Sequence, residues 1–185
     1  VLNRAVEQTK QIILEKNVTT ENIDETAHDV GVGAVVFNEL SNYRIKDYVF
    51  SWDKVLNFEG ETGPYVQYTH ARACSILRRA GEDTVKAAKE GFDTSWITGE
   101  SAHHLIKLLY ALPEVIKEAG EKYEPSIVTR HIVDIAQGFN KFYHDEHILV
   151  EDEKEKTAKV ALVLAVQTAI KNGLGLLGMK APEKM

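Results

Sequence analysis

Features that the sequence lacks exclude several classes of protein. It contains one cysteine, Cys74, which excludes an internal disulfide and fits a reducing compartment. We expect this residue to pack as a small core side chain. No run of apolar residues is long enough to span a bilayer, and no segment resembles a signal peptide. We therefore predict a cytoplasmic protein with no membrane partner.

Motifs of common enzyme chemistry are also missing. No glycine-rich loop has phosphate-binding spacing, and no serine or cysteine lies in a recognisable nucleophile motif. A His-Asp pair, His144-Asp145, is the main candidate for catalysis. In HD-type metal phosphohydrolases such a pair binds a metal together with another histidine and an aspartate, roles that His131 or His104 and Asp152 could fill. A dipeptide is a weak signal, and His144 at a solvated helix end is the simpler interpretation.

The distribution of charge matters more than the net charge of −6, which by itself disfavours a nucleic-acid partner. No acidic residue occurs from position 62 to position 80, whereas His70, Arg72, Arg78 and Arg79 all lie there. The acidic residues are instead concentrated at positions 151–155 and at scattered sites. Local positive potential is therefore compatible with an acidic protein, although arginines that merely coat a helix would give the same pattern.

Helical periodicity dominates the first 40 residues. Apolar residues at helical spacing from Val1 to Ile13 predict that the chain opens inside an amphipathic helix, with neither a methionine nor a cap before it. We therefore expect a piece of a longer protein. Thr19 or Thr20 would cap a second helix, in which Gly31 and Gly33 suggest close approach by another element. The aromatic and β-branched residues from 46 to 52 predict a short extended strand.

The rest of the chain predicts a bundle of helices joined by short loops. Thr62 or Gly63 would cap a helix that begins at Pro64 and ends near position 80. A polar stretch would follow, then a helix over 101–111 that Pro113 interrupts by starting a new one. Pro125 would open a helix with a buried apolar stripe. The last helix would follow the acidic residues 151–153 and end near 177, with Gly178 beyond its end. The buried stripe comprises Val128, Ile132, Ile135, Phe139 and Phe142.

The helix from Pro64 carries the most informative pattern. At about 100° per residue, Tyr65, Tyr68, Arg72 and Arg79 share one stripe beside an apolar face. Tyrosines supply rings on which bases stack, and guanidinium groups pair with phosphates. Alternatively, both tyrosines are half-buried spacers whose hydroxyl groups reach solvent. The pattern also permits a helical protein-interaction module without affinity for RNA.

The string Phe-Glu-Gly-Glu-Thr-Gly-Pro-Tyr-Val-Gln-Tyr-Thr-His-Ala-Arg at 58–72 closely resembles a segment of arginyl-tRNA synthetases. Residues 30–35 and 40–53 resemble the part of that family that leaves the catalytic domain. Residues 136–143 and 176–185 resemble its anticodon-binding domain. The stretch 82–122 matches loosely, and the tetrapeptide Asp-Ala-Leu-Arg, after which that domain is named, does not occur literally.

The resemblance implies an all-α fold: a helical anticodon-binding domain over 64–185, preceded by a connecting segment over 1–63 at the end of a catalytic domain. The family's nucleotide-binding motifs, of the His-x-Gly-His and Lys-Met-Ser-Lys types, do not occur here. We therefore expect no catalytic, metal or cofactor site in this chain. The parent enzyme would use ATP and Mg to attach arginine to tRNA. The implied partners are an arginine-accepting tRNA and the upstream catalytic domain.

The resemblance also implies which side chains bind the tRNA. Tyr65 and Tyr68 match tyrosines that approach the anticodon loop, with Arg72 one helical turn further on. Tyr143 and the terminal Met185 match positions at the anticodon bases. Gln67 and His70 lie within the same motif, but no contact is assigned to them.

Overall fold

The computed structural model describes residues 1–15 and 22–185, and these residues form eight α-helices and one 3₁₀ turn. The predicted all-α class is confirmed. None of the helices in the described ranges is long and apolar enough to cross a membrane. The helices are α1 (Leu2–Glu15), α2 (Ile23–Ser41), α3 (Trp52–Val55), α4 (Gly63–Ala80), α5 (Glu82–Glu90), α6 (Glu100–Lys122), α7 (Ser126–Asp145) and α8 (Glu153–Leu176), with the 3₁₀ turn at Thr94–Trp96.

Helices α1 and α2 pack with their backbones in contact. A Cβ atom on Gly31 would lie 2.8 Å from the Cα and N atoms of Val6, so only glycine permits this approach. The predicted close approach at Gly31 is confirmed. Asn22 caps α2 by accepting a hydrogen bond from the Glu25 amide at 3.2 Å. The predicted caps Thr19 and Thr20 lie outside the described residues.

The connecting segment joins α4 through a second close contact. A small apolar cluster lies between α1, α2 and α3, whereas Phe37 of α2 belongs to the main core formed by α4 to α8. A Cβ on Gly63 would lie 2.9 Å from the Phe37 Cβ and 3.0 Å from the Gly33 carbonyl oxygen. The first turn of α4 is therefore seated directly on α2. The division into 1–63 and 64–185 stays a prediction.

The predicted short strand does not form. Residues 47–51 have no regular secondary structure, and no neighbouring strand is present in the described ranges. Without a partner the backbone cannot form a ladder, so strand propensity alone is insufficient. Val49 is 91% exposed, whereas Phe50 and Trp52 pack edge to face with ring centroids 4.9 Å apart.

The prediction that Pro113 starts a new helix is wrong, because α6 continues through it to Lys122. Proline removes one intrahelical hydrogen bond, which costs roughly 3 kcal/mol in an exposed helix. Here the helix packs against α7, and residues on both sides of Pro113 are buried: Leu105 and Leu112 before it and Ala119 after it. This packing offsets the lost bond. Helix α5, which lies in the stretch predicted only as polar, buries Thr84 and Ala88 as it packs against α8.

The core of the bundle lies between α7 and α8. The predicted apolar stripe of α7 is confirmed, since all five of its residues are buried. Asp152 caps α8 by accepting hydrogen bonds from the amides of Lys154 and Glu155, at 2.9 and 3.0 Å. Helix α8 then packs against α4, α5, α6 and α7. The bundle thereby fixes α4 and α7 side by side, with their exposed faces adjoining.

Candidate nucleic-acid interface

The start of α4 determines the direction of its polar stripe. Thr62 caps the helix: its Oγ1 accepts a hydrogen bond from the Tyr65 amide at 3.2 Å and donates one to the Asn57 carbonyl. Pro64 occupies the first turn, where its missing N–H has no cost. The cap and the proline therefore fix the register of α4, in which Tyr68 is exposed, Arg72 is partly buried and Tyr65 packs at the edge of the core.

Arg72 lies between two tyrosine rings from different helices. Its guanidinium carbon is 4.9 Å from the ring centroid of Tyr68 and 5.4 Å from that of Tyr143 on α7. These are cation–π distances. Tyr68 is 40% and Tyr143 42% exposed, so both rings retain accessible surface. Phe139 lies next to Tyr143 at a centroid distance of 6.5 Å with ring planes 29° apart, and supports it from the core.

Asn140 of α7 connects this pair to the rest of α4. Its Nδ2 donates to the Tyr65 hydroxyl at 2.8 Å and to Thr69 Oγ1 at 3.1 Å. Its Oδ1 accepts a hydrogen bond from Arg72. The amide thus orients two predicted binding residues at once. Asn140 was not predicted from the sequence, although its place three residues before Tyr143 on the same helical face is a usable signal.

The chain after α8 folds back onto α4. Gly178, with φ of 74°, adopts the left-handed conformation predicted for a residue beyond a helix end. The Met179 amide bonds to the Leu174 carbonyl at 2.9 Å and the Gly178 amide to the Gly175 carbonyl at 3.0 Å. This pair of bonds is a Schellman motif, which ends the helix and reverses the chain. Met179 is buried, and the tail (residues 179–185) continues beside α4.

Three side chains of α4 hold the backbone of this tail. Gln67 Nε2 donates to the Lys180 carbonyl at 2.9 Å, and His70 Nδ1 donates to the Pro182 carbonyl at 2.9 Å. Arg78 donates to the Glu183 carbonyl at 3.2 Å. Gln67 and His70 had been assigned no role from the sequence. In the structure they are fully buried and contact the tail.

Met185 therefore lies half-buried against the same cavity as the predicted residues of α4. This cavity, of about 550 Å³, lies within the usual range for ligand sites, about 300–1,000 Å³. Four of the five predicted site residues line it, and the fifth, Tyr143, joins them through Arg72. Arg79, predicted on the same stripe, is exposed in the last turn of α4 and does not line the cavity. The lining residues are Tyr65, Tyr68, Arg72, Asn140 and Met185, with Ile12, Ile13 and Thr26 of α1 and α2 and residues 57–59 opposite.

Burial determines the protonation of His70. The pKa of its imidazole is lowered, chiefly by burial and secondarily by Lys171, whereas the bond to Pro182 and the nearby Glu183 oppose the shift. Because a carbonyl can only accept, Nδ1 carries the proton and Nε2 of the neutral ring accepts from Gln167 at 3.0 Å. Both ring nitrogens are thus satisfied in the neutral form.

Cys74 lies one turn from His70, with its Sγ 3.7 Å from the imidazole Nε2. Burial raises the pKa of its thiol, with Glu183 acting in the same direction. The prediction that Cys74 packs as a small core residue is confirmed, because it is 6% exposed. A thiol with a raised pKa is a poor nucleophile.

Residues of the alternative metal site are engaged elsewhere. His144 and Asp145 pair with each other at 3.3 Å at the exposed end of α7. His131 Nε2 donates to the Leu108 carbonyl at 2.8 Å, and Asp152 caps α8. Within residues 1–15 and 22–185, no three or more His, Cys, Asp or Glu side chains are grouped so as to hold a metal ion. The described residues give no support to the phosphohydrolase interpretation.

Comparison of the sequence with known protein families identifies two families, and both are consistent with this all-helical fold. Residues 66–185 match the family described as the DALR anticodon binding domain, and residues 1–52 match the family described as the catalytic domain of class I (R) tRNA synthetases. The chain belongs to the DALR anticodon binding domain family.

Individual relatives with high sequence identity are named arginine–tRNA ligase. The chain is 54% identical to an arginine–tRNA ligase of Halothermothrix orenii and 51% identical to one of Clostridioides difficile. Each comparison covers 100% of this chain and 32% of the relative. The chain therefore spans about a third of the length of these curated relatives.

Solved structures show the same architecture. Thermus thermophilus arginyl-tRNA synthetase superposes with a TM-score of 0.90 at 34% identity, covering 100% of this chain and 31% of that one. The arginyl-tRNA synthetase of Plasmodium falciparum superposes with a TM-score of 0.86 at 24% identity, covering 100% and 33% respectively. The latter likeness extends to the fold alone.

Proposed function

We propose that this chain recognises the anticodon arm of an arginine-accepting tRNA as part of an arginine–tRNA ligase. The observation that carries the proposal is the arrangement of Arg72 between the half-exposed rings of Tyr68 and Tyr143. It occurs in a chain of the anticodon-binding family whose relatives are named arginine–tRNA ligases. Tyr65, Tyr68, Arg72, Tyr143 and Met185 are the proposed contacts with tRNA.

The geometry suits bases that are splayed out of a loop. The accessible parts of the Tyr68 and Tyr143 rings offer stacking surfaces, each worth about 1–3 kcal/mol per base. The cavity beside them is lined mainly by aromatic, aliphatic, amide and thioether groups, with Arg72 and Glu59 as its charged residues, and this mixed lining suits a planar heterocycle that carries polar groups. Since Asn140 already bonds to Tyr65, Thr69 and Arg72, its role is to orient them.

A second groove, beside α4, would bind the phosphate groups of the RNA. It is lined by Tyr68, Arg72, Arg78, Lys184 and Met185 among others. No acidic residue occurs along α4, and the charged side chains that line this groove, Arg72, Arg78 and Lys184, are all basic. The groove and the cavity share Tyr68, Arg72 and Met185, which places phosphate and base contacts side by side. Backbone contacts position the RNA, and base contacts select it.

The chemistry would take place outside this chain. In the proposed ligase the upstream catalytic domain binds arginine, ATP and Mg and performs the transfer. Residues 1–63 would connect that domain to the helical domain at 64–185. A cytoplasmic location goes with a role in protein synthesis. This chain would supply no catalytic residue.

Filter binding of the full-length protein to total tRNA at two salt concentrations tests the proposal. We expect binding that weakens as salt rises, because phosphate contacts release counterions. In a separate assay, residues 1–185 alone should show no arginine-dependent exchange between ATP and pyrophosphate. A full-length protein that does not bind tRNA, or exchange by this segment, would contradict the proposed division of roles.

A further inference from the structure

Side chains of α4 hold the C-terminal tail by its backbone, while Met179 of the tail packs into the core. The bonds from Gln67, His70 and Arg78 of α4 end on backbone carbonyls of the tail. Two of the three donors, Gln67 and His70, are 0% exposed. Buried donors of this kind are costly to leave unpaired, so they favour the docked tail.

Gln67 and His70 lie on the face of α4 next to the proposed binding stripe. Gln67 directly precedes Tyr68, and His70 lies two residues before Arg72. Successive helical residues are about 100° apart, so one face holds the tail while the adjoining face lines the cavity. Because both faces belong to one helix, the position of the tail is fixed relative to Tyr65, Tyr68 and Arg72.

Anchoring restricts where Met185 can lie. A seven-residue tail free after Gly178 could reach about 25 Å, whereas the three residues after Pro182 reach only about 10 Å. The bond from His70 to the Pro182 carbonyl therefore removes most of the volume open to the terminal side chain. Met185 lines the cavity under this restraint.

We propose that Gln67 and His70 are positioning residues, which act on tRNA only through the placement of Met185 in the cavity. This inference rests on the proposed function. Neither side chain lines the cavity or the phosphate groove. Any effect of their substitution on tRNA affinity must therefore pass through the tail.

His70 is the better residue to test. Gln67 also donates to the Asp29 carbonyl of α2 at 3.1 Å, so its loss would disturb a second interface. His70→Leu removes the bond to Pro182, and with it the acceptor for Gln167 of α8, while it keeps an apolar group of similar size in the pocket. His131→Leu is the matched control, since His131 is also buried and donates to a backbone carbonyl at 2.8 Å, remote from the tail.

The experiment is a double-mutant cycle in the full-length protein. The affinity for total tRNA is measured with and without Met185, in the unmodified protein and in His70→Leu. We expect His70→Leu to lower affinity by about 3- to 10-fold, the effect of losing an ordinary hydrogen bond, when Met185 is present. In the protein that lacks Met185, His70→Leu should cause no further loss of tRNA affinity. His131→Leu should leave the affinity unchanged in both.

A second readout does not depend on tRNA. Carboxypeptidase should release Met185 several-fold faster from His70→Leu than from the unmodified protein or His131→Leu. Equal release rates, or an equal loss of affinity with and without Met185, would overturn the inference. If the unmodified protein fails to bind tRNA, the proposed function fails, and the release rates still decide the role of His70. Should His70→Leu not fold, His70→Ser replaces it, because the serine hydroxyl is polar but ends one bond short of the position of Nδ1, the donor to Pro182.

Discussion

Replacing Arg72 with lysine would separate the shape of this side chain from its charge. Lysine keeps the positive charge but has no planar group to lie between the rings of Tyr68 and Tyr143. It also has a single donor group in place of the forked guanidinium that reaches Asn140. We therefore expect Arg72→Lys to fold, to bind tRNA more weakly, and to retain the same net charge.

The magnitude follows from the contacts that are lost. Each cation–π contact at a partly exposed site is worth about 0.5–1 kcal/mol, and the bond to Asn140 adds about 0.5–1.5 kcal/mol. Lysine recovers part of this, which leaves about 1–2 kcal/mol of lost stability. If the freed rings then lose part of one stacking interaction, the tRNA affinity should fall about 5- to 10-fold.

Filter binding across a series of salt concentrations checks this expectation. The plot of log K against log salt should shift downward without a change in slope, because the number of phosphate contacts is unchanged. Arg79→Lys is the control, since Arg79 is exposed on the same helix outside the cavity. A changed slope, or an equal loss in Arg79→Lys, would refute the reasoning that the planar guanidinium of Arg72, held between the two rings, adds to tRNA binding beyond its charge.

The remaining predictions concern the stripe, the helix contact and the tail. Tyr68→Ala should weaken tRNA binding by about 1–3 kcal/mol with little change in melting temperature; unchanged affinity in a folded variant would exclude a direct contact. Gly31→Ala should destabilise the protein by about 1–3 kcal/mol, because its Cβ meets backbone 2.8 Å away. Gly175→Ala, with nothing within 4 Å, should instead stabilise it by about 0.5–1 kcal/mol in the same denaturation assay, and equal shifts would contradict the close contact. Since the pKa of His70 is lowered in the fold, chiefly by burial with Lys171 adding to it, its contribution to stability is full above pH 6.5 and is lost as pH falls towards the lowered value. Thermal unfolding of the unmodified protein and His70→Leu should therefore converge at low pH, and a constant difference would contradict this.

Local patterns were sufficient to predict most of the helices. The cap at Thr62, the proline at 64 and the apolar periodicity up to position 80 define α4 without reference to any other element. The apolar stripe of α7 and the glycine after α8 are also local signals. Helix α5 was missed because its nine residues carry few apolar positions.

The two incorrect predictions have a common cause. Propensity favoured a strand at 46–52 and a break at Pro113, and in both places the outcome depended on neighbours distant in sequence. An extended segment becomes a strand only if a partner lies beside it. A proline is tolerated within a helix when packing on both sides of it stabilises the helix, as α7 does here.

The all-α class followed from the family resemblance. The sequence by itself determined the helical periodicity, the register of α4 and the spacing that puts Tyr65, Tyr68 and Arg72 on one stripe, because these depend on contacts within a few residues. Only the tertiary structure decided that the Arg72 guanidinium contacts the ring of Tyr143 and that Asn140 orients this guanidinium. These residues are brought together by the packing of α7 on α4. It also decided that Gln67 and His70 hold the tail, across separations of 113 and 112 residues. Contacts at such separations leave no periodic trace in the sequence, because they depend on where α8 ends and on the direction in which its Schellman turn sends the chain.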